Sequence, residues 1–287
     1  MAAPTNPTAN SIVSEALTRF LNGGTPTATE ITRGENFGLE KVKRDIMNVG
    51  KTWGPLIRTD YIATKVGVSQ YANPSDFEGY KEVSLMIGNH SGGLGTVVSA
   101  KTMDLGAGED AVKAEIEGKF LFISAGTGVN QCEQIDDYAG VRVTLRDSFG
   151  TLPVTADAYL VVNRITPLGV WNYQLFGLIE YGSQPAKPTR YAEIPSDTTG
   201  FICLNPVPES VYGLKRTYYA DLMLVDVSID LYDTILRRWA GVFEQGVYVW
   251  ALGQDDDRYK EEKDTYDGML LKLAIHDLDG FTPPEQK

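Results

Sequence analysis

The spacing of apolar positions changes twice along the chain. Near the N-terminus they recur every three or four residues, which places them on one face of a helix. Ser11 precedes one such run, Ile12–Leu21, and two glycines follow it, which is the pattern of a capped helix. Glu35–Trp53 repeats the spacing, with a stripe that includes Val49 and Trp53, before a Gly-Pro pair. These patterns predict two N-terminal helices.

The spacing falls to two between about Leu56 and Val227, which is the period of half-buried strands. Val83, Leu85 and Ile87, for example, alternate with the residues between them. The predicted strands are Val83–Ile87, Lys119–Ile123, Val141–Leu145, Ala158–Val162, Trp171–Tyr181, Phe201–Leu204 and Tyr212–Ala220. Turn signals stand at Asn73-Pro74, Ser91–Gly93, Gly126–Gly128, Thr166-Pro167 and Pro206–Pro208. Many short strands separated by regular turns predict a sandwich or a barrel.

Helical spacing returns after Asp226. One wide apolar stripe consists of Tyr232, Leu236, Trp239, Phe243, Val247 and Trp250. At helical spacing such a stripe is typical of a core, and its width also suits an interface between subunits. Asp255–Asp257 is predicted to open a last helix, because acidic residues suit the first turn. The stripe of that helix is Tyr259, Tyr266, Met269, Leu270 and Leu273.

The apolar stripes at the two ends of the chain must be buried against something. The simplest arrangement packs them against each other. We therefore predict an α+β protein in which N- and C-terminal helices form a helical bundle with a large inserted antiparallel β-domain, a sandwich or barrel. The predicted segments are 1–55 (N-terminal helices), 56–227 (β-rich insertion), 228–278 (C-terminal helices) and 279–287 (flexible tail).

Composition places the chain among globular proteins. Its 287 residues are 43% hydrophobic and 22% charged, which argues against intrinsic disorder. A net charge of −12 argues against tight binding to phosphate groups. The first ten residues carry no signal-peptide pattern, and the apolar run Ala240–Leu252 contains Glu244 and Gln245. We therefore expect a protein made in the cytoplasm, with no membrane partner.

Residues with catalytic or metal-binding potential are few and scattered. His90 and His276 are the two histidines, and no further ligands stand at metal-site spacing around them. Asp255–Asp257 lacks the alternating oxygens of a calcium loop. Gly126–Gly128 lacks the third glycine and the lysine of a phosphate-binding loop, so we interpret it as a turn. We expect no enzyme activity, no metal and no cofactor.

Several segments resemble the head-to-tail adaptor proteins of tailed bacteriophages, which form the head-completion ring, or connector, under the portal. The matching segments are Leu204–Pro208, Tyr212–Ala220, Ile235–Arg238, Tyr259–Leu273, Tyr71–Phe77 and the helix Ile12–Leu21. A second resemblance, to a small β-module of phage virion proteins, covers Gly126–Gly128, Gln131, Ile135, Tyr138–Gly140, Phe149, Pro153 and Tyr159. Cys132 and Glu133 replace the basic residue that is usual in that module, which weakens any contact carried over from it.

The resemblance implies a structural virion protein of the neck, between head and tail. Such adaptors combine a helical bundle with a β extension and assemble as a homo-oligomer, a twelve-subunit ring (dodecamer) around the DNA channel. They bind the portal protein on one face and the tail nozzle or another tail protein on the other, and genomic DNA passes through without tight binding. A C-terminal segment commonly docks on the portal. Here the portal-docking residues would be Leu273, Asp279, Gly280, Phe281, Thr282, Pro283 and Pro284.

An alternative is a virion-surface β-sandwich module that binds carbohydrate or a receptor. Trp171–Tyr181 is rich in aromatic residues, and aromatic faces stack on sugars. In such a module Trp171 has to be exposed in a groove, whereas a core position for Trp171 would count against it. The burial of Trp171 therefore discriminates between the two hypotheses.

Overall fold

The computed structural model describes residues 8–106, 113–171, 184–194, 200–223 and 230–278, with the backbone alone for 230–237. It confirms an α+β protein with helices and a large antiparallel sheet. The chain divides into two compact units. The helical unit comprises the residues up to Ile57, the short segment Ser75–Gly79 and the residues from Tyr219 onward, and the sheet unit comprises Arg58–Pro74 and Tyr80–Tyr218. The sheet unit is therefore inserted in sequence between the N- and C-terminal helices.

The described helices include two long ones near the C-terminus and shorter ones elsewhere. They are α1 (Ala9–Phe20), α2 (Ala28–Arg33), α3 (Glu40–Val49), α4 (Lys113–Ile116), α5 (Asp230–Leu252) and α6 (Tyr259–Asp277). A π-helical turn, Gly34–Leu39, joins α2 to α3, and a short 3₁₀ turn follows at Gly54–Leu56. Short α2 was not predicted, because its six residues carry no buried side chain and hence no apolar stripe.

The predicted caps of the first and last helices are wrong. Thr8, rather than Ser11, caps α1, and Ser11 completes a capping box three residues later. The Ser11 N–H donates to Thr8 Oγ1 (3.2 Å), and the Thr8 N–H donates to Ser11 Oγ (2.9 Å). At the other end, Asp255–Asp257 precedes α6, which begins at Tyr259. Asp256 instead accepts hydrogen bonds from the backbone and guanidinium of Arg258.

The predicted helix Glu35–Trp53 is also wrong at both ends. Its first residues belong to the π-helical turn, and α3 stops at Val49, whose side chain is exposed. Trp53 lies beyond the helix but is fully buried, and its indole N–H donates to the Gly50 carbonyl (2.7 Å). A loop, not helical spacing, therefore carries Trp53 into the core.

Helix α5 is the centre of the helical unit, and α1, α3 and α6 pack along it. Close approach depends on Gly246, where a Cβ atom would lie 2.4 Å from Val42 Cγ2 of α3. Polar side chains also connect three of these helices. Arg19 of α1 donates to Gln245 of α5 (2.8 Å) and pairs with Glu262 of α6 (2.8 Å). The predicted contact between N- and C-terminal helices is therefore confirmed.

Twelve described strands form two sheets. The strands are β1 (Ile57–Ala63), β2 (Gln70–Ala72), β3 (Phe77–Gly93), β4 (Thr102–Asp104), β5 (Phe120–Ala125), β6 (Cys132–Ala139), β7 (Arg142–Leu145), β8 (Ala158–Pro167), β9 (Gly169–Val170), β10 (Arg190–Ile194), β11 (Phe201–Asn205) and β12 (Gly213–Ala220). The larger sheet has the order β1-β12-β3-β8-β5-β6-β7-β4, and the smaller has the order β2-β11-β10-β9. The pair β9–β10 is parallel, while β10–β11 and β3–β8 are antiparallel.

The larger sheet curls until β1 meets the turn between β5 and β6. The Ala63 N–H donates to Asn130 Oδ1 (2.8 Å), although three other strands separate β1 from β5 in the sheet order. Met86 and Phe122 are fully buried inside this curl, and Tyr61 packs against them. Burial raises the pKa of Tyr61 to about 12. The larger sheet is thus barrel-like within the sheet unit.

Three details of the strand prediction are wrong. The alternation over Val83–Ile87 predicts one buried face, but Ser84 and Met86 are buried as well as Leu85. Leu85 packs in a cluster with the smaller sheet, while Met86 packs inside the curl, so β3 is covered on both faces. Ser91–Gly93, predicted as a turn, continues β3 and pairs with β8. Thr166-Pro167, also predicted as a turn, is the end of β8 and pairs with Leu85 and Ser84.

Candidate functional site

The predicted interface stripe lies on α5, and most of its described side chains are inside the helical unit. Trp239, Phe243 and Val247 are buried in the single chain, and Trp250 is half-buried. The side chains of Tyr232 and Leu236 lie outside the described residues. The buried members fill the core around α5, so among the stripe's described side chains Trp250 is the one that a second molecule can reach.

The predicted portal-docking residues fall at the end of α6. Leu273 is buried on the inner face of α6, and the remaining six, Asp279 to Pro284, lie outside the described residues. Leu278 is the last described residue and forms an antiparallel bridge with Trp53. The segment that follows therefore leaves from a fixed point on the helical unit.

That fixed point is built from two tryptophans and one carboxylate. The rings of Trp53 and Trp239 meet edge to face, with centroids 5.5 Å apart. The Trp239 indole N–H donates to Asp277 Oδ2 (2.6 Å), and Arg238 Nε donates to Asp277 Oδ1 (2.9 Å). Burial raises the pKa of Asp277, but the hydrogen bonds from Arg238 and Trp239 outweigh it and lower the pKa overall. Asp277 thereby connects the end of α6 to the first half of α5.

A pocket opens beside the last turn of α5. We call it the α1 pocket; it has a volume of about 340 Å³ and is lined by Leu17, Phe20, Leu21, Glu30, Arg33, Trp250 and Ala251. Its floor is apolar, and an acid and a base stand at its rim. Beside it, Phe37 is 59% exposed on the π-helical turn. Neither periodicity nor composition predicts this pocket, because α2 was not predicted.

A second exposed apolar feature lies on α6. Leu271 and Ile275 stand one turn apart on its outer face and are 51% and 44% exposed. Their neighbours Leu270 and Leu273 are buried, as the predicted stripe requires. We call the exposed pair the α6 ridge. It is an apolar surface that the single chain leaves in contact with water.

The loop Gly126–Gly128 is a turn, as predicted, and its amide groups are occupied from within the chain. The N–H groups of Thr127 and Gly128 donate to the carboxylate of Asp157 (3.1 and 3.2 Å), and the Val154 N–H donates to it as well (2.9 Å). Asp157 is buried, which raises its pKa, but the three backbone donors lower it overall. An anion cannot use these amides without displacing Asp157.

The remaining candidate residues stay apart from one another. His276 is exposed on α6, and His90 lies 3.4 Å from Glu115 Oε2. Arg258 lowers the pKa of Asp256 to about 2, and burial raises the pKa of Cys132 to about 12. Within the described residues, no three His, Cys, Asp or Glu side chains form a group that could hold a metal ion.

Trp171, on which the carbohydrate-binding alternative depends, is half-buried. The Arg190 guanidinium covers its ring at 4.9 Å from the centroid, and its backbone N–H donates to the Tyr191 carbonyl (2.7 Å). It packs beside buried Ala192 and Cys203. The rest of the predicted aromatic strand, residues 172–181, lies outside the described residues. A sugar could stack on the face of Trp171 that Arg190 covers only after Arg190 moved away.

The sheet unit also contains an open cleft of about 640 Å³. It lies between the end of β1, the edge strand β2 and the turn after β5. Val68, Val129 and Val211 give it exposed apolar walls, and Gln70 and Asn130 contribute amides. This mixture does not select one class of ligand.

Comparison with known proteins gives no relative to guide the assignment. No protein-family model matches the chain, and no curated protein matches it. Among the described helices, none is long and apolar enough to cross a membrane.

Proposed function

We propose that this protein is a head-to-tail adaptor of a tailed bacteriophage. In this role it is a structural component of the virion neck, where copies of the chain form a ring that joins the portal to the tail and surrounds the DNA channel. It acts through geometry and affinity, without turnover of a substrate. The observation that carries the proposal is the packing of N- and C-terminal helices around α5, with a large sheet unit inserted between them in sequence. This is the architecture that the resemblance implies.

Exposed apolar surface in the helical unit supports an assembled state. The α6 ridge and the α1 pocket lie open to water in the single chain. Exposed apolar patches are typical of surfaces that bind other proteins. The interior of the helical unit, by contrast, is closed by Trp53, Trp239 and Asp277, so assembly does not require its core to open.

The net charge of −12 supports passage of DNA rather than capture of it. An acidic ring repels phosphate groups, so the nucleic acid does not adhere to the channel wall. Tight binding would instead require a surplus of cations that release counterions from the DNA.

The direct test mixes the purified chain with the portal ring encoded in the same genome and measures mass by native mass spectrometry. The expected result is a portal complex that gains twelve copies of the chain, seen in cryo-EM averages as a stacked ring. A portal that gains no mass at any tested concentration would refute the proposal. A monomeric chain in isolation would not, since the portal can serve as the template.

A deletion of residues 279–287 tests the docking end. Because Leu278 and Asp277 hold the end of α6, the shortened chain should keep its fold and melting temperature. Its affinity for the portal should fall. Deleting residues 1–7 is the matched control, and it should leave docking unchanged. Unchanged docking after the C-terminal deletion would mean that the portal contact lies elsewhere.

A further inference from the structure

The α6 ridge and the α1 pocket are separate surfaces of the helical unit. Helix α6 packs along α5 from Trp239, whose indole N–H donates to Asp277, to Gln245, which donates to Glu262. The pocket lies further along the chain, where Trp250 in the last turn of α5 meets α1 and α2.

The two surfaces lie at different levels along α5. Asp277, two residues beyond Ile275, accepts a hydrogen bond from Arg238, the ninth residue of α5. Trp250 follows Arg238 by twelve residues, a rise of about 18 Å along the helix. A chain therefore cannot place its own ridge in its own pocket.

We propose that the α6 ridge of one copy occupies the α1 pocket of the next copy. This inference rests on the proposed function and specifies the contact between neighbouring subunits. A contact between two unlike surfaces leaves one free ridge and one free pocket on every pair, so it repeats from copy to copy and closes into a ring when the rotation between neighbours allows it. A surface that pairs with itself would stop at a dimer.

Size and polarity fit this occupant. A pocket of about 340 Å³ has room for the side chains of Leu271 and Ile275, and its floor of Leu17, Phe20 and Leu21 is apolar like the ridge. Burial of both surfaces removes apolar area from water, which is the usual driving force for association.

Charges at the two rims are complementary. Glu30 and Arg33 stand at the edge of the pocket. Lys272 is exposed next to the ridge, and Asp264 is exposed two turns before Leu271 on the same face of α6. Lys272 can therefore face Glu30 of the neighbour while Asp264 faces Arg33. Between two chains of net charge −12, such pairs offset the general repulsion and fix the register.

Disulfide trapping tests the contact. Ile275→Cys and Leu21→Cys are made separately in a Cys132→Ala background, with buried Cys203 retained. Each chain is oxidised alone as a reference. In a separate reaction the two reduced chains are mixed, with and without the portal ring, and then oxidised. The mixture should give cross-linked dimers, each chain alone should give almost none, and the double variant should give a ladder of multimers.

The matched control pairs Ile275→Cys with Val66→Cys, which is more exposed than Leu21 but belongs to the sheet unit. It should not cross-link. The inference is overturned if the mixture gives no more dimer than this control, whether or not the portal is present. It is also overturned if Ile275→Cys alone forms dimers as fast as the mixture, because that result means the ridge pairs with itself.

A charge placed on the ridge separates this inference from the proposed function. Leu271→Asp should weaken association between copies roughly thirty-fold, as removal of a central contact residue does, whereas Leu271→Met should leave it unchanged. If Leu271→Asp still forms a complete ring on the portal, the proposed contact is wrong and the adaptor proposal stands. If the cysteine pair cross-links but no variant binds the portal, the contact stands and the adaptor proposal fails.

Discussion

Replacing Trp239 with alanine should strongly destabilise the helical unit. The Trp239 side chain is 1% exposed, and its ring packs on Trp53 with centroids 5.5 Å apart. Removal of a buried Trp costs about 3 to 5 kcal/mol, because it forfeits the transfer free energy and leaves a cavity. The indole N–H that binds buried Asp277 is lost in the same change.

Two further variants divide this loss into parts. Trp239→Phe keeps most of the ring contact with Trp53 but removes the donor to Asp277, and we expect a loss of about 1 to 2 kcal/mol. Trp250→Ala is the matched control, since Trp250 lies on the same helix but is half-buried. It should cost clearly less stability than Trp239→Ala, although it removes one wall of the α1 pocket.

The assay is urea denaturation followed by the helical signal in circular dichroism, which reports mainly on the helical unit. The sheet unit is followed separately, because a two-unit chain need not unfold in one step. A loss below about 1 kcal/mol for Trp239→Ala would refute the placement of this side chain in the core. Equal losses for Trp239→Ala and Trp250→Ala would refute it as well.

Three other changes test the sheet unit. Gly126→Ala should destabilise it by about 1 to 3 kcal/mol, because the residue has φ +102° and the new Cβ would lie 1.9 Å from Asp157. Gly140→Ala, with φ +65° and open space around the new Cβ, is the control, and equal losses of stability in urea for the two variants would contradict the clash. Asp157→Asn should lower the free energy of unfolding at neutral pH. Since the folded-state pKa of Asp157 is lowered, the difference in this free energy from the natural chain should shrink as pH falls below about 4. A difference that stays constant with pH in urea titrations would exclude this linkage. Arg216→Met should cost about 1 to 3 kcal/mol by removing the buried guanidinium that binds the partly exposed carboxylate of Asp60, and an unchanged thermal midpoint would show that the pair contributes nothing.

Periodicity predicted the elements whose apolar residues follow one face. It failed where tertiary contacts determine whether a side chain is buried. The helices α5 and α6 were predicted because their stripes are long and regular. Trp53 extends the helical spacing of α3 by coincidence, yet a loop places it against Trp239. A pattern read along one segment contains no information about a partner that is distant in sequence.

The strand β3 shows the same limit in a sheet. Val83, Leu85 and Ile87 gave the alternation of a half-buried strand, but Met86 faces a second buried cluster. Curling of the larger sheet creates that cluster, and the hydrogen bond between Ala63 and Asn130 marks it. Curvature depends on the pairing of distant strands, so a local pattern cannot predict it.

Some residues of the candidate site could be predicted from the sequence, and others could not. The buried stripe on α5 could be found from sequence because aromatic residues recur at helical spacing. The roles of Asp157 and Asp277 could not be found, since each carboxylate is defined by donors that come from other turns or helices. Buried carboxylates with several donors are a result of folding and have no sequence signature of their own.

Helix α6 shows most clearly that burial cannot be predicted from residue type alone. Leu270, Leu271, Leu273 and Ile275 are equivalent in composition and nearly continuous in sequence, yet two are buried and two are exposed. Leu270 and Leu273 are accounted for by contacts within the helical unit. Leu271 and Ile275 are not, and a persistently exposed apolar ridge promotes nonspecific association. An assembled ring removes that liability if the next subunit covers the ridge, so the ridge is where a structural role should be tested first.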